Sequence, residues 1–141
     1  MLVQPMAAGF KSWLGNFHKQ EDGATTIEFV LWLPVFAMLF ALVADTALIM
    51  GGQAQVLRVV QDTNRSMSVG RIRSEELAQE MILANIRDIA PTATVTTTYD
   101  QFTGLISSRV LIPASDLTAT GLVDSFSDFN VAVFAQHLAE N

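Results

Sequence analysis

No charged residue occurs between Glu28 and Asp45. The stretch they enclose, FVLWLPVFAMLFALVA, limits what the chain can become. A helix that crosses a bilayer needs roughly 20 mainly apolar residues rising about 1.5 Å each. Residues 27–50 supply that length if Glu28 and Asp45 lie near the two ends. A charge at the bilayer centre costs about 2.5–3.5 kcal/mol on insertion scales and much less near an interface. Both carboxylates are therefore expected at boundaries. For Asp45 the sequence leaves open a solvated interface residue, a contact with the rest of the chain, or a contact with a partner. Pro34 would break a helix in water but is tolerated as a kink inside a membrane helix. Ala37, Ala41, Ala44 and Leu48 share one helix face, and small residues let membrane helices approach closely.

The rest of the chain reads as an ordinary polar protein. Its 141 residues suit one domain, not two. Half of them are hydrophobic and 16% are charged, below the usual share for a soluble domain. The net charge of −6 argues against a nucleic-acid partner, because phosphate binding needs a basic surface. The absence of cysteine excludes disulfides, thiolate metal sites and a Cys nucleophile.

Orientation is weakly encoded. Lys11 and Lys19 precede the apolar run, with Glu21 and Asp22 against them; Arg58, Arg65, Arg71 and Arg73 follow. Loop counting on these residues favours an outside N-terminus. The short leader cannot hold a domain and most of the chain follows the span, which favours a cytoplasmic N-terminus. A secretory signal peptide fits poorly: its core would open on Glu28, and a cut after Ala44 would have Leu42 two residues earlier.

The leader ends KQEDG, and Glu28 comes five residues after Gly23. Gly23 has no side chain, so backbone on its side of the next bond can enter a peptidase cleft closely. Asp22 and Glu21 keep the leader wet and delay the helix. A cut after Gly23 would free an α-amino group on Ala24, with a pKa near 8, about one turn from Glu28. A buried carboxylate is costly alone and much less so when paired. The plainer reading puts Glu28 near a helix N-terminus, where the dipole favours it, with Thr25 or Thr26 as the N-cap. Phe10, Trp13, Leu14 and Phe17 recur at helical intervals, so the leader is either a helix on the membrane surface or unstructured.

The sequence around Gly23 resembles a prepilin processing site. More narrowly, GATTIEFVLWLPVF resembles the start of the TadE-like family, minor pseudopilins of tight-adherence (Flp) pilus systems. Gly23, Glu28, Phe29 and Pro34 carry the resemblance, which extends from Phe17 to about Arg73. It implies cleavage between Gly23 and Ala24 by a prepilin peptidase. It also implies a role for Glu28 and Phe29 in recognition or assembly, with Glu28 pairing with the amine of its own or the next subunit. The implied partners are that peptidase, other pilins or pseudopilins, inner-membrane assembly proteins and the lipid bilayer. The implied location is the bacterial inner membrane, N-terminus cytoplasmic and C-terminal part periplasmic.

Beyond the span, Gly51 and Gly52 are expected to soften a helix that continues from about Ala24 to Ser68, with Val56, Leu57, Val59, Val60 and Met67 at helical spacing. Gly70 reads as its stop. Ser74 reads as the N-cap of a helix over 74–90, with Glu75 and Glu76 in its first turn. ATVTTTYD and LISSRVLIP read as a hairpin turning at Asp100–Gly104. Residues 115–127 carry turn residues. The segment after Asp128 is either a short helix or, on the favoured reading, a strand through Val131–Phe134. The expected class is α+β: a leader over 1–23, a transmembrane helix over 24–50, and a periplasmic domain over 51–141.

No catalytic constellation stands out. His18 and His137 are far apart, and there is no phosphate loop and no serine elbow. Asn64-Arg65-Ser66 fits a glycosylation sequon, a pattern that arises often by chance. The expectation is a structural protein without cofactor or metal. Its competitors are an uncut single-pass anchor for a binding or sensing domain, a secreted soluble domain and, more remotely, a small periplasmic enzyme.

Overall fold

The computed structural model describes residues 21–126 and 129–140. The leader segment Phe10–Phe17, read above as either a surface helix or unstructured, and His18 lie outside the described residues. Helix α1 covers Glu21–Ser68, α2 Glu75–Ile86 and α3 Leu122–Phe126. Strands β1 (Thr94–Asp100), β2 (Leu105–Pro113) and β3 (Asn130–Leu138) form one antiparallel sheet in the order β1-β2-β3. This is the expected α+β arrangement. The chain divides into two units, Met1–Phe40 and Ala41–Asn141.

In the first unit the apolar face of α1 is turned outward on every side. Phe29, Leu31, Trp32 and Phe40 are all more than half exposed. Contiguous apolar surface of that extent is not left to water and marks a membrane or protein contact. The helix is long and apolar enough to span a bilayer, and such a helix is how a membrane anchor is built.

In the second unit α1 acquires a buried stripe. Asp45, Gly52, Val56, Val60, Asn64 and Met67 are buried, at spacings of seven, four, four, four and three. These intervals fall on one face of a 3.6-residue helix. Val56 and Val60 meet Ile82 and Ile86 of α2, and both helices pack on Val95, Val110, Ile112, Val131 and Val133 of the sheet. A smaller cluster of Met67, Ile72, Ala78 and Ile106 closes the other end.

The ends of α1 follow from local chemistry. Its start differs from expectation: the helix already includes Glu21, so Asp22 does not delay it and Thr25 and Thr26 lie inside it, not at an N-cap. Its stop is as expected. Gly70 takes φ +73°, a left-handed conformation that costs glycine little. Gly70 N–H donates to Met67 O (3.0 Å) and Arg71 N–H to Ser66 O (2.9 Å), which satisfies carbonyls the helix end would orphan. Ser74 caps α2 by accepting from Leu77 N–H. That helix ends at Ile86, short of the expected 90, and Ile89 N–H and Ala90 N–H turn back onto Ile86 O.

As expected, α1 continues as a helix through Gly51 and Gly52. The two glycines do different jobs. A Cβ on Gly51 would meet nothing within 4 Å, whereas one on Gly52 would lie 2.5 Å from Leu117 Cδ2. Gly52 is therefore the seat of buried Leu117. We expect Gly51→Ala to raise stability by roughly 0.5–1 kcal/mol through helix propensity. Gly52→Ala should lose on the order of 1 kcal/mol net, overpacking outweighing the same propensity gain. Thermal unfolding of the two variants in detergent decides; equal gains would mean that Leu117 moves aside.

The hairpin register pairs Val95 with Val110 and Asp100 with Leu105. At its turn, Asp100 accepts from Phe102 N–H (2.8 Å) and the Thr103 hydroxyl (2.8 Å). The Thr103 hydroxyl, and then the Phe102 N–H, hold its carboxyl below the usual aspartate range. Residues 114–126 hold a single 3-10 turn, Ala114–Asp116, and α3. The last segment is a strand, longer than the expected Val131–Phe134 core. Its alternation buries Val131, Val133 and Ala135 on one face, the period of two that separates strand from helix.

Candidate functional site

Two separate features of α1 are candidates, each within its own unit: the mouth of the apolar segment and the collar around Asp45. Gly23 and Ala24 lie in the first turns of α1. Glu28 follows Ala24 by one turn, on the same face. Glu28 and Phe29 are exposed, Phe29 by 63%. Pro34 is inside the helix and supplies no N–H to the Val30 carbonyl, the usual origin of a local bend. Nearby, the Trp32 and Phe36 rings sit 6.2 Å apart at a 40° tilt.

Asp45 is neither solvated nor simply at an interface. It is 0% exposed, and its carboxylate accepts four hydrogen bonds from one loop. Oδ1 accepts from Ala119 N–H (3.1 Å) and Thr120 N–H (2.9 Å). Oδ2 accepts from the Thr120 hydroxyl (2.6 Å) and Leu122 N–H (3.2 Å). A buried carboxylate is stable only when its lone pairs are so filled. The loop is placed for this by Leu117 seated on Gly52, two turns further along the same face of α1. The solvated reading of Asp45 is thus corrected, and the contact with the rest of the chain is the one that forms. A sequence signal was available: Asp45 precedes Gly52 and Val56 by seven and eleven positions, in phase with the buried stripe.

A second polar feature escaped the sequence reading. Asn64 is 1% exposed and joins α1 to the sheet. Its Nδ2 donates to Ala135 O (3.1 Å), and its Oδ1 accepts from the Ser108 hydroxyl (2.6 Å). Ser108 in turn lies 3.0 Å from the Thr97 hydroxyl. A buried, bonded amide is no glycan acceptor, so the sequon is a chance match. No buried side-chain nitrogen or oxygen among the described residues lacks a partner.

A surface cleft of about 320 Å³ opens where α1 ends, lined by residues including Met67, Gly70, Arg73, Tyr99 and Glu140. Among the described residues no group of three His, Asp or Glu side chains is placed to hold a metal ion.

These features define a class: an α+β domain whose first helix continues an apolar, membrane-anchoring segment. A family resemblance is carried by that helix. Residues 23–65 match the family model described as TadE-like protein, which supports the family resemblance seen in Gly23, Glu28, Phe29 and Pro34. The matched segment starts at Gly23 and takes in Asp45 and Asn64, but stops before α2 and the sheet. No curated protein and no solved structure matches the chain.

Proposed function

We propose that this Tad pilus-associated chain is a minor pseudopilin of a tight-adherence (Flp) pilus system. On this reading it inserts in the bacterial inner membrane with its N-terminus in the cytoplasm and its domain in the periplasm. A prepilin peptidase cuts after Gly23, leaving residues 24–141 to support pilus assembly alongside other pilins and inner-membrane assembly proteins. The role is structural, without a cofactor. The observation that carries the reading is Gly23 with Glu28 five residues later, at the mouth of the apolar helix and at the start of the TadE-like match.

The chemistry of this mouth suits a processed substrate. The bond after Gly23 lies in helical backbone, which has to open locally to enter a peptidase cleft. Glycine reduces the cost by about 1 kcal/mol relative to alanine. The cut frees an ammonium on Ala24 one turn from Glu28, so the helix mouth gains a cation beside its carboxylate. Phe29, exposed beside Glu28, offers an apolar contact to a neighbouring helix in lipid.

The test is the N-terminus and intact mass of the full chain from its native membrane, with and without the prepilin peptidase. The expected product begins at Ala24 only when the peptidase is present, and Gly23→Leu reduces its yield at least tenfold. Glu28→Ala should leave cleavage in place and abolish co-purification with other pilus subunits. A chain that retains residues 1–23 in both backgrounds leaves an uncut single-pass anchor.

A further inference from the structure

We propose that Asp45 and the loop it holds, Ala119–Leu122, form a depth stop that fixes how far α1 enters the bilayer. The stop thereby fixes where the Gly23–Ala24 bond emerges. The second half of this inference rests on the processing reading above; the first half stands without it.

The argument starts from the polarity of the loop. Ala119 and Thr120 are exposed, and their peptide groups are in neither helix nor sheet. Hydrocarbon cannot satisfy irregular backbone, so lipid-exposed loops stay out of the bilayer core. Four hydrogen bonds tie this loop to Asp45, the residue that directly ends the uncharged stretch. A second tie, Leu117 on Gly52, lies two turns further along, so the loop is fixed to α1 at two heights and cannot slide. The apolar helix can therefore sink into the bilayer only until the loop reaches the headgroups. Leu48 and Met50, exposed just beyond, fall within the headgroup layer. Bilayers are about 40–45 Å thick including that layer, against a core of about 30 Å.

The distance to the other boundary is set by the chain. Asp45 lies 22 positions after Gly23. At about 1.5 Å per helical residue this is about 33 Å, close to the hydrocarbon thickness. The sequence between Gly23 and the stop thus matches the length a helix needs to cross the hydrocarbon, and a membrane peptidase would meet the Gly23–Ala24 bond at its far end. Without the stop, the apolar run beyond Asp45 would let the helix slip by a turn or more. Gly23 would then take a range of depths.

The chain has no cysteine, so single cysteines report depth directly. Full-length protein reconstituted in phosphatidylcholine–phosphatidylglycerol vesicles carries one cysteine at each position of 41–44 and 46–49 in turn, probed with a membrane-impermeant maleimide. In the native background the labelling boundary should be sharp and fall within two residues of Asp45. In Asp45→Ala it should spread by about four residues toward Met50, and peptidase cleavage of the same chains should slow on the order of tenfold. Thr120→Val, which removes one hydroxyl bond and leaves the core untouched, should give a smaller shift in the same direction. Amide exchange at Ala119, Thr120 and Leu122 shows whether each loop has opened. An opened loop with an unmoved labelling boundary overturns the depth stop. A native chain that the peptidase never cuts overturns the processing reading alone, and the labelling boundary still decides the depth stop.

Discussion

Asn64→Ala should cost about 2–4 kcal/mol, a large effect for an exchange that removes one amide. The amide bridges three strands' worth of structure. Nδ2 satisfies Ala135 O on β3, Oδ1 receives the Ser108 hydroxyl on β2, and Ser108 meets Thr97 on β1. Asn64, Ser108 and Thr97 are all at most 1% exposed, so water cannot take over the lost bonds. Truncation leaves a buried hydroxyl and a buried carbonyl short of a partner, each costing about 1–3 kcal/mol, and a small cavity besides. Pulse proteolysis of the full chain in detergent measures the loss. A value under about 0.5 kcal/mol, within the range of ordinary surface substitutions, would mean that the site rehydrates and that the network is dispensable.

The other large effect is expected in the main core. Ile82 is fully buried on α2, among side chains from α1 and all three strands. Ile82→Ala removes three carbons from this packing and should lose about 2–5 kcal/mol, the spread reflecting how far the neighbours relax. The adjacent Leu83 is 40% exposed, and Leu83→Ala should lose less than about 1 kcal/mol. Both are measured by the same proteolysis. Similar losses at the two positions would contradict the packed face assigned to α2. For a domain whose total stability is about 5–15 kcal/mol, either Asn64→Ala or Ile82→Ala could reduce the folded population in the membrane.

Much of the architecture was legible because local signals agreed with one another. Gly70 and Ser74 bracket the α1–α2 connection, and the structure uses both as the stop and the cap their chemistry suggests. The hairpin was readable from its β-branched run and the turn at Asp100. The class α+β followed from those elements. The end of α2 was overestimated because Ile89 continues the apolar spacing although the backbone turns at Ile86. The start of α1 was misjudged because acidic residues before a span look like leader, while acidic residues also suit a helix N-terminus.

What escaped the sequence reading was long-range and polar. Asp45 and its loop partners are separated by 74 to 77 positions, and Asn64 is 44 positions from Ser108 and 71 from Ala135. Periodicity places such residues on a face but does not say what lies opposite. The contact made by Gly52 escaped for the same reason. Its purpose is the volume of Leu117, which no local rule reveals.

The sequence by itself determined the anchor, the helix that continues it, the cap and stop around Gly70, and the Gly23–Glu28 spacing at the mouth. Each depends on residues within a few turns of one another, where backbone sterics and transfer energies act alone. The tertiary structure alone decided that Asp45 is a buried acceptor, that Asn64 ties α1 to the sheet, and that one glycine of a pair is a seat while the other faces open space. Those outcomes depend on which distant groups arrive to fill lone pairs and volume, and that is fixed only when the helices and the sheet close over a common core.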